Sequence, residues 1–173
     1  MRQDQGPPTG TVTCLFTDIE GSTRLELALG TGPYREVRER HRELLRVAFA
    51  AGDGYEQSTE GDSFFVLFRR AGDAVAAAAA CQRALAAESW PDGVEVRVRM
   101  GLHTGEIETV GGDVIGYDIN RTARIAGIAH GGQVLMSQAT TALVGEALPD
   151  GVSLLDLPGM DPHPYAHVGA VGP

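Results

Sequence analysis

Hydrophobic and polar positions recur along the chain with two different periods, and the period assigns each segment to a strand or a helix. Residues 11–17 (TVTCLFT) are β-branched and apolar, which is typical of a buried strand. Residues 94–102 alternate apolar side chains with charged residues and glycine, which predicts a half-buried strand. From Pro33 the apolar positions recur at helical spacing as far as two glycines at 52 and 54, which predicts an amphipathic helix. The predicted buried stripe of that helix is Val37, His41, Leu44, Leu45, Ala48 and Phe49.

The rest of the pattern predicts a hairpin, further helices and further strands. The hairpin strands are residues 55–58 and 63–68, joined by a tight turn in which Gly61 takes the unusual backbone angle. Helices are predicted at 24–29, 73–88 and 118–129, a strand at 133–137, and then a short helix and two late strands. This order predicts an α+β fold with a ferredoxin-like βαββαβ core and a C-terminal αβ extension, in which helices pack on an antiparallel-rich sheet.

Length and composition indicate one domain. A chain of 173 residues with 43% apolar composition fits one globular core, and two cores would both be undersized. We expect the domain to cover residues 11–168, after a flexible N-terminal segment at 1–10 that is rich in proline and glycine and before a tail at 169–173.

The net charge of the chain argues against one class of partner. The formal net charge of −9 argues against nucleic acid bound by this domain, because phosphate binding needs a basic face. The chain contains no lysine, so all 14 basic residues are arginines.

Two cysteines, Cys14 and Cys81, are too few for a disulfide framework. The apolar run 74–81 is too short to span a membrane, so we expect no membrane contact and a cytoplasmic protein.

Two carboxylates carry the strongest chemical signal. Asp18 follows the first strand, and Asp62 follows the hairpin turn, so both lie at one edge of the sheet if the first and third strands are neighbours. Paired carboxylates at strand ends hold hard divalent cations against substrate phosphates. The alternative for each residue alone is a helix cap or a turn residue. The segment that joins Asp18 to the first predicted helix offers backbone N–H groups to a triphosphate: Ile19, Glu20, Gly21, Ser22 and Thr23.

Four segments of the chain resemble the catalytic domains of class III adenylyl and guanylyl cyclases, in particular their bacterial branch. They are LFTDIEGST at 15–23, EGDSFF at 60–65, MGLHTGE at 100–106 and GDVIGYDINRTARI at 112–125, in the order found in that family. The resemblance covers about residues 11–168. It implies that Asp18 and Asp62 hold two divalent cations, Mg²⁺ or Mn²⁺.

The resemblance also implies roles for two residues of the helix predicted at 118–129 and for two residues that recognise the nucleotide base. Asn120 would orient the ribose, and Arg124 would meet charge on the α-phosphate; residues four apart share a helix face. Asp113 matches the family's adenine-reading aspartate, which favours ATP because a carboxylate accepts from the 6-amino group. Ser58 stands where adenylyl cyclases carry a lysine, and no arginine after Arg124 remains to clamp the triphosphate.

We therefore expect an adenylate cyclase that makes 3′,5′-cyclic AMP and pyrophosphate, with each site shared between the two chains of a homodimer. Relaxed ATP/GTP selectivity stays open because of Ser58, as does a catalytically weak or silent cyclase-like module that binds nucleotide or dimerises. A longer parent chain with regulatory domains also stays open. We expect His103 to be a strand residue without chemistry, because its neighbours are strand residues and no partner carboxylate is placed beside it.

Overall fold

A computed structural model of the chain describes residues 6–91, 93–145, 148–156 and 165–170. Of the predicted N-terminal segment at 1–10 and the predicted tail at 169–173, residues 1–5 and 171–173 lie outside the described residues. The described strands are β1 (Gly10–Ile19), β2 (Tyr55–Glu60), β3 (Ser63–Phe68), β4 (Val98–Val110), β5 (Asp113–Ile115), β6 (Val134–Ser137), β7 (Val152–Asp156) and β8 (Tyr165–Ala170). The described helices are α1 (Ser22–Leu29), α2 (Thr31–Ala51), α3 (Ala71–Ala87), α4 (Tyr117–Ile128) and α5 (Gln138–Val144).

The strands form one sheet in the order β2-β3-β1-β4-β6-β8-β7, with β5 paired to the end of β4. The β4–β6 pair is parallel, and the other pairs are antiparallel. The first four strands of this order, with α2 and α3 as crossovers, make the ferredoxin-like core, and α5, β7 and β8 follow it as the extension. The predicted fold class is confirmed.

The two faces of the sheet are covered unequally. On one face α2 and α3 build the main core against Leu15, Phe64, Val66 and Met100. The predicted stripe of α2 lies in this layer, apart from Leu44, which is half-buried and packs at its edge. The alternate strand residues point to the other face, where α4 covers β4 and only a small apolar cluster lies over β1 and β3. That second face also carries the predicted site residues Asp18 and Ser58, because they pair with Arg99 and Phe65 there.

The strand boundaries differ from the sequence prediction at the start of β4 and at the hairpin turn, among other places. Although alternation begins at residue 94, β4 begins at Val98, because Val98 pairs with Ile19, the last residue of β1. Alternation marks the faces of a strand, whereas a ladder also needs a partner. The hairpin loop is only Gly61 and Asp62, and Gly61 takes φ 58° as predicted, so Asp62 lies in the turn itself. Among the described residues, no helix is both long enough and apolar enough to cross a bilayer.

Candidate active site

Asp18 and Asp62 lie together at one end of the sheet. Asp18 is next to the last residue of β1, and β3, which follows Asp62, pairs directly with β1. The Ile19 N–H donates to Asp62 Oδ2 at 2.9 Å, and Ser63 Oγ donates to Asp18 Oδ1 at 2.8 Å. Asp62 is thus oriented by β1, which carries Asp18, and Asp18 is oriented by Ser63 of β3, which directly follows Asp62.

Burial raises the pKa of Asp62, the Ile19 N–H lowers it, and the negative charge of Asp18 raises it further. Two half-buried carboxylates that repel each other are stabilised by a cation between them, and their oxygens are the ligands that Mg²⁺ and Mn²⁺ prefer. The donor set therefore fits a divalent cation. The described residues contain no cluster of three or more histidine, cysteine, aspartate or glutamate side chains with the spacing of a metal site.

Arg99 is a member of this site that the sequence analysis missed. It pairs with Asp18 across the β1–β4 ladder, and its Nε and Nη2 donate to Asp18 Oδ2 at 2.9 and 2.6 Å. Its Nη1 reaches the Gly127 carbonyl oxygen of α4 at 3.4 Å. The expectation that no arginine remains to clamp the triphosphate concerned only the residues after Arg124, so it did not include Arg99. A signal existed, since Arg99 lies two residues before Gly101 in a recognised motif, but its partner follows only from the strand register.

The segment from Ile19 to Thr23 leaves the carboxylates and enters α1. The Glu20 N–H is bonded to the Arg97 carbonyl oxygen at 2.8 Å, which ties the segment to the chain before β4. Gly21 is the N-cap of α1 and has no side chain with which to bond the first-turn N–H groups. The start of α1 therefore presents backbone donors beside the carboxylate pair, as an anion site requires.

Asn120 and Arg124 lie on the outer side of α4. Both are exposed, whereas Thr122, Ile125 and Ala126 form the buried side of the helix. Within the part of the chain that the structure describes, Arg124 has no ion pair, and neither outer residue is hydrogen-bonded to Asp18 or Asp62. Among the described residues of one chain, the two predicted pairs are therefore not joined by a hydrogen bond or an ion pair.

The two predicted base-reading residues border the apolar cluster on the second face. Ser58 pairs with Phe65 in the β2–β3 ladder, so it points to the face where Phe65 stacks on Phe16 at 4.4 Å between ring centroids. Asp113 begins β5 next to Val114, which packs against the same cluster. Both side chains are exposed. Ile119 also packs on this cluster, which places Asn120 at its border.

His103 has a carboxylate partner, and the expectation that none lies beside it is wrong. Its Nε2 lies 2.9 Å from Asp118 Oδ1. The two residues are fifteen apart in sequence and meet only because α4 packs on β4, so no local pattern reveals the pair.

The comparisons with known proteins agree with this geometry. Residues 5–150 match the family model for the adenylate and guanylate cyclase catalytic domain. An uncharacterised protein of Mycobacterium tuberculosis is 40% identical over 152 residues, which cover 87% of this chain and 51% of that protein. An adenylate cyclase of Lachancea kluyveri is 30% identical over 162 residues, which cover 79% of this chain and 9% of that enzyme.

Solved structures extend the agreement to the fold. The structure of adenylate cyclases from Trypanosoma brucei in their monomeric state superimposes with a TM-score of 0.83 at 26% identity, covering 96% of this chain and 93% of that one. The chain spans about half the length of its M. tuberculosis relative (51%) and a small part of the L. kluyveri enzyme (9%).

Proposed function

Because the chain belongs to the family of adenylate and guanylate cyclase catalytic domains, we propose that it converts ATP to 3′,5′-cyclic AMP and pyrophosphate. The observation that carries the proposal is the close pairing of Asp18 and Asp62 at the end of β1. In the reaction the ribose 3′-oxygen attacks the α-phosphorus in line. The bond to the pyrophosphate oxygen breaks, and the 3′-hydroxyl loses its proton.

Asp18 and Asp62 would hold two divalent cations, Mg²⁺ or Mn²⁺. When bound, such cations lower the pKa of the 3′-hydroxyl and offset the charge of the leaving pyrophosphate. The raised pKa of Asp62 supports this role, because the carboxylate gains most from a neighbouring positive charge where burial disfavours its ionised form.

The triphosphate would be bound by the start of α1 and by Arg99. The segment Ile19, Glu20, Gly21, Ser22 and Thr23 offers N–H groups without the need for a lysine. Arg99 neutralises Asp18 in the structure described above. Once a cation shares Asp18, the guanidinium is available for a phosphate oxygen at the same end of the sheet.

Asn120 and Arg124 would act on the reacting centre. Asn120 has donors and an acceptor with which to orient the ribose. Arg124 would stabilise charge that develops on the α-phosphate, and a preorganised donor of this kind contributes about 3–4 kcal/mol to transition-state stabilisation. The exposure of Arg124 and its lack of an ion pair among the described residues support a partner outside its own chain.

Two copies of the chain would form each site. Asp18 and Asp62 from one chain would face Asn120 and Arg124 from the other, in a two-fold homodimer. Support comes from the half-buried apolar side chains on the second face of the sheet, where Phe16, Tyr55, Val114 and Ile119 remain partly accessible. A two-fold interface over this face would bury them and complete two equivalent sites.

Asp113 and Ser58 would read the base. The Asp113 carboxylate accepts from the 6-amino group of adenine and repels the 6-oxo group of guanine, which favours ATP over GTP. Ser58 offers only a short neutral hydroxyl, so discrimination depends mainly on Asp113. We also propose that this domain covers residues 11–168, acts in the cytoplasm, and belongs to a longer chain with regulatory segments. A relative of which the matched residues make up only 51% supports the last point.

The proposal is tested by incubating the purified chain with ATP or GTP and Mn²⁺ or Mg²⁺, and by following cyclic nucleotide and pyrophosphate. We expect cyclic AMP and pyrophosphate in equal amounts, with ATP preferred. If neither triphosphate yields product at protein concentrations high enough to dimerise, the chain is a nucleotide-binding or dimerisation module instead.

Two variants serve as controls for this assay. Asp62→Asn keeps the shape of the turn but removes a cation ligand, so we expect activity at background with an unchanged circular dichroism spectrum. Asp113→Asn replaces an acceptor by an amide that either accepts or donates, so we expect the ATP to GTP ratio of kcat/KM to fall towards one while activity remains. An unchanged ratio would remove Asp113 from base reading.

A further inference from the structure

Helix α4 lies directly on the backbone of β4, over a groove made by two glycines. A Cβ built on Gly101 would come within 2.7 Å of Ala126 Cα, and one built on Gly105 would come within 2.7 Å of Asp118 Cβ. Residues 101, 103 and 105 share one face of the strand. His103 therefore stands between the two glycines, directly beneath the helix that carries Asn120 and Arg124.

Asp118 joins the first turn of α4 to β4 through both of its carboxylate oxygens. Oδ1 lies 2.9 Å from His103 Nε2, and Oδ2 accepts from the Glu106 N–H at 3.0 Å. The Thr122 hydroxyl donates to the Asp118 carbonyl oxygen at 2.7 Å. Because a carboxylate only accepts, the Nε2–H of His103 is the donor.

The histidine extends this connection to α5. Its ring is buried, and its Nδ1 lies 2.7 Å from the hydroxyl of Ser137, the N-cap residue of α5. Ser137 in turn lies 3.3 Å from the Thr140 hydroxyl, which is 3.0 Å from that of Thr104. A buried polar chain thus runs from α4 through β4 into α5, and its members hold one another in fixed geometry.

We propose that Asp118 and His103 are positioning residues for the cyclase reaction: they fix the rotation and height of α4 so that Asn120 and Arg124 point into the shared site. This inference rests on the proposed function. Asp118 is two residues before Asn120 and six before Arg124. A helix turns about 100° per residue, so a small rotation of its first turn would move both side chains away from the substrate. Misplacement by about 1 Å costs about a hundredfold in rate.

The first test substitutes His103 in two ways. Gln carries an N–H near the position of Nε2 and keeps the bond to Asp118, whereas Leu fills the space without a donor. We expect His103→Leu to lose about tenfold to a hundredfold in kcat with KM for ATP changed by less than about twofold, and His103→Gln to stay within about threefold of the wild type. If His103 only fills space, Leu is tolerated at least as well as Gln, which would overturn the proposal.

Asp118→Asn tests the other partner and keeps the proposal falsifiable if a histidine variant fails to fold. The NH2 group of the new Asn side chain faces either the Glu106 N–H or the His103 N–H, so two donors meet and one hydrogen bond is lost. We therefore expect the same loss in kcat. Val75→Ala, in the α3 core on the other face, is the control for lost stability alone, and its kcat should stay within about twofold. If Val75→Ala lowers kcat as much as Asp118→Asn does, the loss reflects lost stability alone and contradicts a positioning role for Asp118.

A second readout separates this inference from the proposed function. Hydrogen exchange of the α4 amides (residues 117–128) should speed up by about tenfold or more in Asp118→Asn, while α3 exchange stays as in the wild type. If the wild type makes no cyclic nucleotide, the proposed function fails and the exchange result alone decides whether the pair positions α4. Unchanged exchange at α4 would overturn the inference.

Discussion

His41 is a titratable side chain enclosed in the main core. Its ring lies on the buried stripe of α2, 6.0 Å between centroids from Phe64, and neither ring nitrogen has a hydrogen-bond partner among the described residues. Burial lowers the pKa of His41 from 6.5 to about 4, and the positive charge of Arg42 adds to the effect. The folded protein therefore keeps this ring neutral at pH values where the unfolded chain protonates it.

We predict that His41 makes the fold sensitive to mild acid. Its pKa is lower in the folded state, so stability is fully present above pH 6.5 and falls as the pH drops towards 4. The expected decrease in the free energy of unfolding is about 2 kcal/mol between pH 7 and pH 5, measured by urea denaturation. His41→Leu should flatten this dependence. The same slope in both proteins would assign it to other groups.

At this scale the sequence predicts residues whose role follows from local position. Asp18 and Asp62 could be found because each adjoins a strand end, and their proximity followed from the expected order of β1 and β3. Arg99 and the His103–Asp118 pair could not be found in this way. Their partners are set by the β1–β4 register and by the packing of α4 on β4, which are properties of the folded chain.

Helix α4 depends on close approach to β4 as much as on its own sequence. At Gly101 and Gly105 of the MGLHTGE motif no side chain separates strand from helix, so the motif encodes a packing surface. Periodicity predicted both elements. It did not predict β5 or the continuation of β4 to Val110, because pairing between Glu108–Val110 and β5 depends on a turn at two glycines rather than on a hydrophobic face.

We predict that Gly101→Ala displaces α4. The added methyl group would meet backbone atoms of Ala126, which cannot rotate away, so the expected loss is about 1–3 kcal/mol in the free energy of unfolding. Cyclase activity should fall by more than this loss explains at temperatures where the variant is folded. Gly127→Ala is the matched control on the same helix, because a Cβ there meets nothing within 4 Å; it should be neutral or stabilising by up to about 1 kcal/mol. Equal stability of the two variants would contradict the packing argument.

At the scale of the whole molecule, the two faces of the sheet differ in how completely they are covered. The face under α2 and α3 is a closed core, whereas the other face keeps stacked Phe16 and Phe65 and the exposed residues Asn120 and Arg124 near its surface. Among the described residues, no hydrogen bond or ion pair joins Asp18 and Asp62 to Asn120 and Arg124. In the proposed homodimer a second copy turned by a two-fold axis would supply each of these two pairs with the other, which is why we expect a monomer to be inactive.

A site shared between two chains predicts that two inactive variants complement each other when they are mixed. Asp18→Ala and Arg124→Ala should each be inactive alone, because every site in either homodimer lacks one essential group. Mixed in equal amounts, half of the dimers are heterodimers with one intact site, so activity should return to about a quarter of the wild type per chain. Asp18→Ala mixed with Asp62→Ala is the control, since both changes affect the same half-site and no intact site forms. Restoration by both mixtures, or by neither at concentrations that support dimers, would contradict a site shared in this way.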